Sequence, residues 1–157
     1  GSVHCLDDIA ISDESEAPSY FQRRSVGQMA DDYFELLLMA ARCRGFDCLG
    51  HLDYYIRFGY KYYGDLMDEI EIERFDSVFN ALKQRGIGIE INTSPFKTGG
   101  NAFHPSSEII DRAISCGVAI TSVGSDCHRP ADLGTGIVEA YDFLNRRGME
   151  PVFPKML

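Results

Sequence analysis

No stretch of these 157 residues approaches the roughly 18–20 consecutive apolar residues that span a bilayer. No basic-then-apolar leader opens the chain either. Positive charge is scarce: 15 Lys and Arg stand against 24 Asp and Glu, a formal net charge of −9 at pH 7. That balance excludes a general nucleic-acid binder, because phosphate backbones need a positive face. It suits a chain that concentrates carboxylates around cations. No CxxC pair occurs, and the five cysteines at 5, 43, 48, 116 and 127 form an odd set. They read as reduced thiols, three of them within interior helices or strands, and not as a disulfide frame or zinc knuckle. Low-complexity tracts, identical repeats and interdomain linkers are missing as well. The expectation is one cytoplasmic domain, and 45% hydrophobic with 25% charged residues is ordinary for such a chain.

What is present is a rhythm of helix, glycine and strand. "SVGQMADDYFELLLMAARCRG" carries helix formers, with Arg42 and Arg44 near its end and Gly45 as its C-cap. "FDCLGHL" follows as a short buried strand. "RFDSVFNALKQRG" repeats the device, with Phe75, Val78, Phe79 and Leu82 on one face and Gly86 as the stop. "IGIEIN" is the next strand. "PSSEIIDRAISCG" leads into "VAITSVG", and "GIVEAYDFLNRRG" ends at Gly148 before a short "PVF". Such junctions predict parallel α/β architecture. "GSVHCL" reads as a first strand, and "SDESEAPSYFQRRS", residues 12 to 25, as a surface loop. A closed α/β barrel takes about 250 residues, more than are here.

The pentapeptide "GSDCH" places a carboxylate and an imidazole two residues apart, straight after an apolar strand. In an extended segment Asp126 and His128 point the same way, as two ligands of one ion would. Alternation sends Cys127 to the other side. The chain has only four histidines, 4, 51, 104 and 128. Three of them follow strands, and in parallel α/β folds the strand C-termini share one rim where ligands bind. Imidazole with carboxylate suits zinc, manganese or iron better than calcium.

"GSVH", "GHLD", "IEINTS" and "GSDCHRPADLG" occur in this order. Together they resemble the later motifs of the PHP (polymerase and histidinol phosphatase) superfamily, most closely its histidinol-phosphatase branch. The resemblance covers essentially the whole chain as one domain, 1–157. It implies the C-terminal part of a distorted (β/α)7 barrel holding two or three divalent metal ions at its rim. The implied reaction is hydrolysis of a phosphomonoester, L-histidinol phosphate, in histidine biosynthesis. It implies His4, His51, Asp126 and His128 as metal ligands. The family's opening His-x-His motif, and the histidine and glutamate ligands that follow it, have no counterpart here, so the chain reads as lacking the N-terminal strands and the isolated piece as impaired.

Such ions neutralise phosphate oxygens and bring the pKa of bound water to about 7. The leaving alkoxide needs a proton, for which Asp126 and His128, acting through a water, are the candidates. Arg57 and Lys97 fall where the branch carries phosphate-binding cations, and lysine offers only a point charge where arginine grips in two places. Glu90 and Asn92 of "IEINTS" are implied as substrate-side or supporting residues. Asp53 either orients His51 or caps the next helix. His104, before Pro105, reads as a pocket or loop residue and not a ligand, and "YYIRFGYKYY" as a pocket wall. The partner implied is a small phosphorylated substrate, with neither nucleic acid nor membrane. Two other readings stand beside this one: a PHP phosphoesterase for another small phosphate or a nucleotide end, and a non-catalytic metal-binding module.

Overall fold

The computed structural model describes residues 1–152. An antiparallel hairpin of β1 (Cys5–Leu6) and β2 (Ile9–Ala10) leads to α1 (Ala17–Phe21) and the long α2 (Val26–Arg42). Then come β3 (Cys48–Leu49), α3 (Ile56–Tyr63), α4 (Phe75–Arg85) and β4 (Gly88–Asn92). Finally α5 (Ser107–Ser115) leads to β5 (Ile120–Gly124), which α6 (Ile137–Asn145) follows. Strands β3, β4 and β5 form one parallel sheet in sequence order. The pairs Cys48↔Gly88 and Ile89↔Ile120 fix its register, and an irregularity at Ile89/Glu90 shifts β4 against β5.

Helix α2 starts on a capping box: Ser25 and Gln28 satisfy each other's backbone N–H, a device that holds the first turn without tertiary help. It ends at Cys43, two residues before the predicted Gly45. Helix α4 stops where expected, at Gly86 with φ 67°, a left-handed cap that costs glycine little. Its apolar face, Phe75, Val78, Phe79 and Leu82, is wholly buried. Phe34 of α2 meets Phe75 edge-on at 4.8 Å, which fastens the two helices over the sheet. Arg112 of α5 grips Asp76 of α4 through two bonds of 2.9 and 2.6 Å.

Several expectations change. "GSVHCL" is a strand only over Cys5–Leu6, which turns back into a hairpin. Gly1 still lies along the outer edge of β3: its nitrogen donates to the Cys48 carbonyl at 2.8 Å and its carbonyl accepts from Gly50 N at 2.9 Å. Residues 12 to 25 are not a loose loop. Pro18 sits in the first turn of α1, where its missing N–H costs nothing, and Ala17, Tyr20 and Phe21 are buried. None of the cysteines is fully buried, and Cys5, Cys43 and Cys127 are exposed. Of "PVF", Val152 donates to the Ile120 carbonyl at 2.7 Å without forming a strand, and Phe153 lies outside the described residues. Among the described residues no helix is long and apolar enough to cross a membrane.

One glycine decides the sheet spacing. A Cβ on Gly88 would meet the Thr121 methyl at 2.2 Å and the Ala119 carbonyl oxygen at 2.8 Å. Gly88→Ala must therefore push β5 away, and overpacking of this kind costs about 1–3 kcal/mol. Urea unfolding should show the midpoint of Gly88→Ala lowered at unchanged slope. An unaltered midpoint would mean that the strands have slack that these distances deny.

Candidate active site

Two strands end in the same way. Two residues beyond Leu49 of β3 stands His51 at φ 32°, and two beyond Gly124 of β5 stands Asp126 at φ 49°. Both carry a Cβ in the left-handed region, which side-chain-bearing residues rarely occupy and which is kept most often where function over-determines the backbone. The turn at Asp126 also corrects the extended geometry expected for "GSDCH". Asp126 and His128 still meet, with Oδ1 and Nε2 at 3.4 Å, but through the turn and not through strand alternation.

Both ends open onto one cavity of about 790 Å³ at the C-terminal rim of the sheet. Its walls include His4, His51, Arg57, Lys97, Asp126 and His128, six of the eight residues singled out from sequence. His4 and His51 stand edge to face at 4.9 Å. Tyr54 packs against both, at 5.1 and 4.5 Å. Arg57 hydrogen-bonds the Tyr54 hydroxyl and lies 5.5 Å over its ring, so the phenol holds the guanidinium at the cavity wall. Lys97 donates to the backbone carbonyl of Asp126.

His51 is 7% exposed, and burial, reinforced by the neighbouring His4, lowers its pKa to about 4. Its ring is therefore uncharged at neutral pH. Its Nδ1 is buried without a hydrogen-bond partner. A neutral imidazole with a ring nitrogen not committed to a hydrogen bond is the form in which histidine binds a transition metal. In kind, then, the residues fit a metal. In position they stand as two pairs, His4 with His51 and Asp126 with His128, and among the described residues no three His, Cys, Asp or Glu side chains converge closely enough to hold an ion.

Glu90 and Asn92 do not line the cavity. The Glu90 carboxylate fills a notch between neighbouring strand ends: a Cβ on Gly50 would lie 2.8 Å from one of its oxygens, and one on Gly124 2.6 Å from the other. Burial raises its pKa, opposed by a 3.4 Å hydrogen bond from Asn92 and assisted by the charge of Asp126. Asn92 is 1% exposed, and its side-chain oxygen accepts from Ser94 N at 2.9 Å. It shapes the turn after β4 more than it faces a ligand.

The residue that sequence reasoning undervalued is His104. It lines the cavity, and its Nδ1 lies 2.8 Å from Asp53 Oδ1. Asp53, 1% exposed, also accepts from Ser106 N at 2.8 Å, so its carboxylate orients His104 and not His51. The partners are 51 residues apart, and no local spacing signals them.

No family model matches the chain. The probable histidinol-phosphatase of Deinococcus radiodurans is 26% identical over 140 residues, 89% of this chain and 50% of that protein. The probable histidinol-phosphatase of Thermotoga maritima is 29% identical over 126 residues, covering 78% and 50% respectively. The chain thus spans about half the length of the curated relatives it matches. A crystal structure of a Listeria monocytogenes protein assigned as the histidinol phosphatase hisK superposes with a TM-score of 0.71 at 20% identity, covering 88% of this chain and 56% of that one.

Proposed function

We propose, from the premise that the chain is a distant homologue of part of the histidinol-phosphatases of the PHP superfamily, that its rim cavity is part of a metal-dependent phosphomonoesterase site. The substrate proposed is L-histidinol phosphate. The observation that carries this reading is one cavity lined by imidazoles, a carboxylate and two cations contributed from three successive strand ends. His4, His51, Asp126 and His128 would hold divalent zinc, manganese or iron. When bound, such ions neutralise phosphate charge and supply an activated water.

The other roles belong to the chain itself. Arg57, steadied by Tyr54, offers a planar fork to phosphate oxygens. Lys97 brings a second positive charge near the Asp126 turn. Glu90, sunk between Gly50 and Gly124, fills the notch between the two strand ends that lead to His51 and Asp126. Other small phosphomonoesters remain the second reading, since nothing beneath the phosphate end distinguishes one alcohol from another.

The test is phosphate release by the complete gene product, with manganese or zinc, from histidinol phosphate beside sugar and nucleotide monophosphates. Preference for histidinol phosphate supports the proposal, and preference for a nucleotide end moves the assignment to the second reading. In the same assay Arg57→Ala should raise KM with little change in kcat, because the grip on phosphate is made in ground and transition states alike. Inhibition by inorganic phosphate should weaken in parallel. Unchanged KM and inhibition would return Arg57 to a purely packing role.

A further inference from the structure

His104 is tied at three points. Its backbone pairs with Asn92 at 2.8 and 2.9 Å, and its Nδ1 meets the buried Asp53 carboxylate at 2.8 Å. Asp53 already accepts the Ser106 N–H on its other oxygen, so both of its oxygens act as acceptors and Nδ1 is the donor. That fixes the tautomer and turns Nε2 to the cavity that His104 shares with His4, His51 and Arg57. The ring stands 6.2 Å from Tyr54, which itself packs against His51 at 4.5 Å, so one tyrosine neighbours both His104 and the histidine pair. A carboxylate buried to 1% exposure, serving one imidazole at a cavity wall, is the arrangement by which enzymes aim a histidine for proton transfer.

We propose that His104, aimed by Asp53, is the proton donor to the leaving alkoxide; this rests on the phosphomonoesterase reading above. As the water oxygen bonds to phosphorus, the bond from phosphorus to the ester oxygen breaks and its electron pair stays on that oxygen. The Nε2 proton of the imidazolium transfers to it. The attacking water gives up its own proton, and the imidazole is reprotonated from solvent. A phosphomonoester and water have become an alcohol and inorganic phosphate. Asp53 is a positioning residue, touching His104 and not the substrate.

The test compares two substrates on the metal-replete complete gene product. The leaving group of histidinol phosphate is an alkoxide that needs a proton, whereas that of p-nitrophenyl phosphate is a stabilised phenolate that does not. His104→Asn keeps an N–H for Asp53 but has no proton to give. It should lose about a hundredfold or more in kcat/KM on histidinol phosphate, the range that general acids supply, and less than about tenfold on p-nitrophenyl phosphate. Asp53→Asn should show the same asymmetry to a smaller degree. The retained nitrophenyl activity is itself the control for folding, and His104→Gln gives a second variant should His104→Asn not fold. Equal losses on both substrates in a variant with the wild-type melting temperature would overturn the proposal, as would unchanged turnover of histidinol phosphate. If the wild-type protein cleaves neither substrate, it is the phosphomonoesterase reading that fails, and this proposal with it.

Discussion

His51→Ala or Asp126→Ala in the complete gene product is expected to lower bound metal and kcat together. His51 is the stronger case. It offers a buried, uncharged ring whose Nδ1 has no partner, and its backbone is held at φ 32°, a conformation that brings no stability of its own. Loss of a residue that merely supports a ligand costs about 10–100-fold in metal affinity or activity, so loss of a ligand should cost at least about a hundredfold. Asp126→Gly separates function from folding. Asp126 is about 40% exposed in its side chain and sits at φ 49°, where glycine is relaxed. That variant should lose metal while its melting temperature holds or rises. Elemental analysis beside turnover decides the matter, and full occupancy with wild-type kcat in either alanine variant would remove that residue from the site.

The second large effect concerns how much of the site 157 residues carry. The described residues hold two pairs of candidate ligands and no converged trio, and the chain covers half the length of its curated relatives. The isolated chain is therefore expected to turn over histidinol phosphate at least about a hundredfold more slowly than the complete gene product, on the scale of lost ligation. It should also tend to self-associate, because among the described residues the outer edge of β3 pairs with the Gly1 segment alone and the groove beside it exposes Met39 and Phe46. Sedimentation and a phosphate-release assay on the same preparation test both halves. A monodisperse monomer with full turnover would show that the site is complete within these residues.

Some of this was legible in the sequence for physical reasons. Helix α4 and the strand after it were visible because Phe75, Val78, Phe79 and Leu82 repeat at helical spacing and Gly86 supplies the stop. The rim cavity was visible because strand ends in a parallel sheet share one side, which placed His51 and Asp126 together without knowledge of a single distance. What stayed hidden depends on the third dimension. Helix α1 is only five residues long, too short for a periodic signal, and packing of Tyr20 and Phe21 makes it. The turn at Asp126 is set by the left-handed backbone of one residue, which composition does not announce. The pairing of Asp53 with His104 joins residues 51 positions apart. Glu90 drops out of the cavity wall because glycines at 50 and 124 leave room for it below.

The central claim is that this rim cavity hydrolyses a phosphomonoester with the help of metal. The most direct test strips the complete gene product with a chelator and follows phosphate release from L-histidinol phosphate as manganese or zinc is added back. The account predicts negligible release from the stripped protein, restored by metal in the wild type but not in His51→Ala. Undiminished release after stripping, with no metal retained, would contradict it.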